Sequence, residues 1–251
     1  AVPALDHLTK DEFPRSAKYD ATWLVDLDMG PHPLWLLEDL ARDLELRPGM
    51  RVLDLGSGLG ATSVFLAKEY GVRVIAADLW VDPSEAGEVF RKEGVDDRIL
   101  PMRVDAHQLP FGRGSFDVIV SIDAWEYFGT GDHYPPYLAK FLKPGGQLGV
   151  ATPALTTEVR ELGEIPDHID RVVGAESAAW HTAEWLRSQW EFSRAFASVS
   201  ARSQADGCAN WLLWERAVLE LKGQSSSPVQ QMLEADAGAF VTFALVTGRV
   251  A

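Results

Sequence analysis

Three aspartates stand where short apolar runs give out. Asp54 lies two residues before the first glycine of Asp54-Leu55-Gly56-Ser57-Gly58-Leu59-Gly60, Asp78 follows Arg73-Val74-Ile75-Ala76-Ala77, and Asp105 follows Ile99-Leu100-Pro101-Met102-Arg103-Val104. A glycine-rich turn between a strand and a helix lets a ligand approach the backbone and offers it unpaired N–H groups. That turn alone is permissive, because Gly56-x-Gly58-x-x-Ala61 also satisfies the dinucleotide fingerprint. Asp78, 22 residues after Gly56, is placed to accept hydrogen bonds from a ribose diol. Grouped carboxylates repel a pyrophosphate, and no Gly-Lys-Ser/Thr ending supplies a phosphate cradle.

The elements around these acids follow from apolar spacing. Leu36, Leu37, Leu40 and Leu44 make one stripe of a helix starting near Leu34 and stopped by Arg47-Pro48-Gly49, and Ala61, Val64, Phe65 and Lys68 give a second helix from 61 to about 70. Between and after them, apolar runs predict five parallel strands ending near 55, 77, 104, 122 and 151. Strands alternating with helices imply a parallel sheet covered on both faces. Past 152 the alternation loosens. Thr182 opens a helix, 210–222 is a Trp-rich helix, 229–236 a shorter one, and Phe196–Ser203 and Phe240–Val250 read as two late strands. The expected fold is an α/β, seven-stranded, mostly parallel Rossmann-like sheet with the late strands as an antiparallel edge pair. The 251 residues form one domain, with a cap segment at 1–33, a core at 34–152 and a substrate-side region at 153–251.

Composition narrows the partners. With 23 Lys+Arg against 37 Asp+Glu the net charge is −14, which opposes nucleic acid. One cysteine, Cys208, forms no internal disulfide, and no charged-then-apolar leader or 18-residue apolar run is present. The expectation is a soluble cytoplasmic protein without membrane partners, although the missing initiator Met leaves a removed leader open. No pair of His, Cys or carboxylates has metal spacing, so no metal is expected.

S-adenosylmethionine, with a sulfonium, an ammonium, a carboxylate and no phosphate, suits such a site. The chain resembles the class I S-adenosylmethionine-dependent methyltransferases, especially the group that includes the ubiquinone/menaquinone-biosynthesis enzymes. The resemblance rests on Val52-Leu53-Asp54-Leu55-Gly56-Ser57-Gly58-Leu59-Gly60, Ala77-Asp78, Asp105-Ala106 with Leu109-Pro110-Phe111, Ser115-Phe116-Asp117-Val118-Ile119 and Leu142-Lys143-Pro144-Gly145-Gly146. It implies that Asp54, Gly56, Ser57 and Gly58 belong to a cofactor site, that Gly56 and Gly58 let the methionyl part pass close to the backbone, and that Asp78 binds the ribose. It further implies that Leu79 and Trp80 flank the adenine, that Asp105 and Ala106 read it, and that backbone from Ser121 to Asp123 meets the ammonium.

The acceptor is expected to be a small molecule methylated on oxygen, nitrogen or carbon. A base, where one is needed, belongs outside the strand ends, in the loop after the fourth strand, and Glu126 and His133 are its candidates. The acceptor chamber is expected between the 123–134 loop, the N-terminal segment and the 153–181 insertion, with Tyr19, Trp23, Trp125 and Tyr127 as walls. The first 30 residues should then be removable without loss of the sheet. Two other readings stand beside this one: a nicotinamide-dependent oxidoreductase, and a module that binds S-adenosylmethionine without turnover.

Overall fold

The computed structural model describes residues 8–27 and 30–251. Residues 1–7 and 28–29 of the expected cap lie outside the described residues. Seven strands form one sheet: β1 (Arg51–Leu55), β2 (Arg73–Asp78), β3 (Ile99–Arg103), β4 (Phe116–Ile122), β5 (Leu142–Leu155), β6 (Ser198–Ser203) and β7 (Val241–Arg249). Their order is β3-β2-β1-β4-β5-β7-β6. β1 to β5 run parallel, whereas β7 inserts antiparallel beside β5 and carries β6 on its outer edge. The seven-stranded expectation and its edge pair therefore hold. β5 alone outruns its expected end, because it stays paired with β7 up to Leu155↔Val241.

The helices are α1 (Ala21–Leu27), α2 (Pro33–Ala41), α3 (Ala61–Tyr70), α4 (Pro83–Lys92), α5 (Trp125–Phe128), α6 (Tyr134–Ala139), α7 (Val159–Leu162), α8 (Asp167–Asp170), α9 (Ala183–Ser193), α10 (Gly207–Leu221) and α11 (Pro228–Asp236). One core layer joins α2, α3, α4, α10 and α11 to the sheet through residues such as Val52, Val74, Val120 and Phe243. The other joins α5, α6 and α9 to Leu53, Ile75, Ile119 and Val150. Alternate residues of each strand thus serve opposite layers, the period-2 geometry of a sheet buried on both faces. Thr182 caps α9 by accepting from the Trp185 N–H, as expected. His32 caps α2, its Nδ1 accepting from the Trp35 N–H at 3.1 Å while its ring stacks on Trp35; burial drives its pKa down to about 3, so it is neutral.

Every residue of α2 is buried, including Glu38 and Asp39. Buried carboxylates persist only with partners. Glu38 accepts from the N–H groups of Arg15 and Ser16 and from the Ser16 hydroxyl, and Asp39 pairs with Arg202 at 2.8 Å. Leu8, Phe13 and Leu24 enter the same core. The described N-terminal residues are therefore packed and hydrogen-bonded against α2. Among the described residues, no helix is long and apolar enough to cross a membrane, and no group of His, Cys, Asp and Glu could hold a metal ion.

Candidate active site

β1 lies between β2 and β4, so chain order reverses there and a crevice opens at the carboxyl ends of these strands. The cleft is built on the turn after β1. Gly56 N–H and Ser57 N–H both donate to Ala77 O on β2, at 2.8 and 3.1 Å. Gly56 has φ +81°, and a Cβ there would lie 2.4 Å from the Ala124 Cβ, so only glycine lets the end of β1 meet the segment after β4. Gly58, at φ +55°, has no atom within 4 Å of where a Cβ would stand, which leaves its outer side open to a ligand.

Asp78 is the keystone of the turn. Its Oδ2 accepts from the Gly58 N–H at 2.9 Å, and its Oδ1 accepts from the Trp80 and Val81 N–H groups at 2.8 and 3.0 Å. A carboxylate has about four acceptor positions, so three backbone donors leave capacity for a ligand hydroxyl. On the opposite wall, Asp105 Oδ1 accepts from the His107 N–H, and His107 Nε2 lies 3.2 Å from Phe128 O. The cleft is lined by Leu55, Gly56, Asp78, Leu79, Trp80, Asp105, Ala106, His107, Asp123, Ala124, Tyr127 and Phe128 among others, and no Lys or Arg is among its described lining. Trp80 and Tyr127, 73% and 59% exposed, meet edge to face at 5.6 Å across its mouth. Asp123 has φ +52°, and Gly30 runs so close that a Cβ there would stand 2.8 Å from the Asp123 Oδ2.

Eight of the expected site residues thus meet in one cleft: Gly56, Asp78, Leu79, Trp80, Asp105, Ala106 and Asp123 line it, and Gly58 anchors Asp78. Three do not face it. Asp54 is fully buried on the α3 side of β1, sharing a face with Val52, and its Oδ2 accepts from the Thr62 and Ser63 hydroxyls at 2.6 and 2.7 Å. Burial raises its pKa to about 6 against the two hydroxyl bonds. Ser57 is buried with its N–H committed to Ala77 O, and Ser121 is fully buried within β4. Their side chains lie within the turn and the strands.

Neither catalytic candidate, Glu126 or His133, is among the residues that line the cleft. Glu126 accepts from the Thr152 hydroxyl at 3.1 Å, beside the end of β5. Burial, with Glu176 of the insertion adding repulsion, lifts its pKa to about 7. His133 does not reach the cleft: it precedes α6 and lines a groove with Trp185, Gln189 and Phe192 of α9, because α6 turns its Tyr134 side inward. Of the expected walls, Tyr127 lines the cleft, whereas Trp125 is fully buried against Trp190 and Tyr134 in the core. Tyr19 packs at a tilt against Trp23 and Phe65 and donates to Glu69 near the carboxyl end of α3, away from the glycine turn. Sequence reasoning missed the two tyrosines that fix the 105–109 wall: Tyr134 donates to Ala106 O at 3.0 Å and Tyr137 accepts from the Leu109 N–H at 2.8 Å. Their i, i+3 spacing on α6 was the available signal.

Residues 37–173 match the family model described as mycolic acid cyclopropane synthetase. The chain belongs to that family, and with it to the class I S-adenosylmethionine-dependent methyltransferases. Methyltransferase GfsG of Streptomyces halstedii is 33% identical over 117 residues, 46% of this chain and 42% of that protein. The demethylmenaquinone methyltransferase of Clavibacter sepedonicus is 29% identical over 214 residues, 76% of this chain and 83% of that one. Matched stretches cover under half the length of several other curated relatives of the family. Among solved structures, the Haemonchus contortus phosphoethanolamine N-methyltransferase 2, in complex with S-adenosylhomocysteine, has a TM-score of 0.73 at 20% identity, covering 98% of this chain and 59% of that one. That likeness is one of fold.

Proposed function

We propose that this protein binds S-adenosylmethionine in the carboxyl-end cleft and transfers its methyl group to an oxygen, nitrogen or carbon of a small molecule. The observation that carries the reading is the pairing of Gly58 with Asp78 in a cleft whose described lining has carboxylates and no Lys or Arg. Such a donor set accepts hydroxyls and cationic groups and disfavours a pyrophosphate, which speaks against the nicotinamide alternative.

The residues fit the cofactor. The open side of Gly58 admits the methionyl chain, Asp78 has acceptor capacity left for the ribose hydroxyls, and Asp105, Ala106 and His107 edge the adenine between Leu79 and Trp80. Asp123 and the adjoining backbone meet the ammonium. When bound, the sulfonium supplies a methyl carbon already activated for in-line displacement. The chain's own part is then to position the acceptor and exclude water, with Tyr127, Trp80 and the segment near Gly30 around the mouth. Glu126, poised near neutrality, takes the acceptor's proton where the acceptor carries one.

We read the chain as one methyltransferase domain, its 34–152 core carrying the cofactor and 153–251 the acceptor side, located in the cytoplasm. A buried, unpaired Cys208 and the −14 charge support this reading and oppose nucleic acid as a partner. Labelled S-adenosylmethionine offered with a panel of alcohols, phenols, amines and carbon acids tests it. Label transferred to one class supports it; a protein that binds a nicotinamide dinucleotide and not S-adenosylmethionine overturns it.

A further inference from the structure

The other end of the sheet carries an arrangement the methyl-transfer reading leaves unused. Arg51 opens β1 and Arg73 opens β2, and the strand register pairs them directly, Arg51↔Arg73. The next step of the register, Val74↔Ile99, sets Arg98 beside Arg73 in the same row. Neighbouring strands run about 4.8 Å apart, and like charges directly opposite each other destabilise a sheet.

A chain with fourteen more acids than bases has carboxylates to spare for such a row. Most of its arginines are paired: Arg91 with Glu88, Arg103 with Asp82, Arg202 with Asp39 and Asp43. Among the described residues, no ion pair involves Arg51 or Arg73. The carboxylate nearest Arg51 along the sheet, Asp117, accepts from the Arg51 backbone N–H and is neutralised by Lys143 at 2.9 Å. The Arg51 guanidinium instead lies over the Phe116 ring, 5.2 Å from its centroid. Arg98 is held by a 2.9 Å bond from its Nη1 to Ala67 O, and only a loose 3.7 Å contact joins it to Asp97 at the rim.

The three arginines line one groove of about 600 Å³ together with Val74, Ile75, Ile99 and two exposed carboxylates, Asp96 and Asp97, so three cations face two anions there. The groove is open because the β3–β4 connection, residues 104–115, contains no helix to cover this part of the sheet, and Leu100 is left 56% exposed. We propose that Arg51, Arg73 and Arg98 form a binding site for a phosphate-type dianion, either inorganic phosphate or a phosphate monoester. Guanidinium groups match phosphate oxygens with paired donors, and a dianion between two in-register arginines removes their mutual repulsion. The site lies at the amino ends of the strands, so it does not overlap the carboxyl-end cleft.

Calorimetry on the full chain tests this, with inorganic phosphate and glycerol phosphate as probes and sodium chloride at matched ionic strength as the control. Saturable binding of one phosphate, weakened at least tenfold in R51Q/R73Q and several-fold in R73Q alone, is the expected result. S-adenosylhomocysteine binding should change less than twofold in both variants, which verifies their fold independently of the new site. Glycerol phosphate binding tenfold tighter than phosphate would identify a phosphorylated metabolite as the ligand, and equal affinities would identify the free ion; each supports the site. No saturation above the chloride control, undiminished binding in R51Q/R73Q, or binding of an acidic peptide such as polyglutamate without binding of phosphate would overturn it.

Discussion

Replacing Asp54 by Asn separates a buried charge from the shape that carries it. Asp54 is fully buried, and burial raises its pKa from 3.8 to about 6. A group whose folded pKa exceeds its unfolded one favours folding in its protonated form. Its contribution is complete below pH 3.8 and is lost as pH rises through 6. At 1.36 kcal/mol per unit, the loss between those limits is about 3 kcal/mol. Asn keeps an oxygen for the Thr62 and Ser63 hydroxyls but puts an amide where Oδ1 accepts nothing, a cost of about 1–3 kcal/mol that does not depend on pH. D54N should therefore be the less stable protein at pH 4 and should draw level with or pass the wild type by pH 7.5. The assay is urea unfolding of both proteins at four pH values, read as the difference between them, so that every other titrating group cancels. A difference that stays constant within about 0.5 kcal/mol across that range would refute the assignment of a buried, destabilising charge to Asp54.

Three further outcomes follow from the same geometry. Asp78→Ala removes the acceptor of three backbone N–H groups and of the proposed ribose contact, so calorimetry should show S-adenosylmethionine binding weaker by about 1.5–3 kcal/mol; unchanged affinity sinks that role. Because Glu126 is a base only when ionised and its pKa is about 7, the methylation rate on an acceptor that must lose a proton should rise with pH through 7. Glu126→Gln should flatten that rise and cost about 10²–10⁴-fold, and a retained rise would acquit it. Deleting residues 1–30 strips Glu38 of all three donors and removes Phe13 and Leu24 from the core, so the truncated chain should lose several kcal/mol or fail to fold; a melting temperature unchanged from wild type would contradict the packing described.

The sheet was legible mainly through the short apolar runs of β2 (Val74-Ile75-Ala76-Ala77), β4 (Val118-Ile119-Val120) and β7 (Phe243-Ala244-Leu245-Val246), which are buried as such runs require. The cleft was legible at Gly56, Asp78 and Asp105, where a strand end leaves a side chain little choice of direction. The inward direction of the Asp54 side chain was legible too: in a strand, alternation sets it with Val52, on the helix side, and Thr62 and Ser63 wait in the first turn of that helix. The placement of His133 carried no such signal. One turn of rotation in a six-residue helix decides whether it faces the cleft or α9, and packing of Tyr134 against Trp125 and His107 makes that choice. Tyr19 could not be placed from sequence because its partners, Phe65 and Glu69, are some fifty residues away.

Asp236 gathers three other parts of the chain onto one fully buried carboxylate: His168 of α8 at 2.8 Å, the N–H groups of Phe240 and Val241 where β7 begins, and the Cys208 thiol of α10. The segment that carries α8 is in this way spliced to the last strand of the sheet. Anyone who grafts a relative's 156–182 segment here must transplant the partners of His168 with it, or leave Asp236 without the 2.8 Å contact that His168 makes with it. Loop exchange in this scaffold is therefore a problem of matching two distant stretches of sequence, and libraries that vary α8 while fixing α11 and the start of β7 will be dominated by unfolded members.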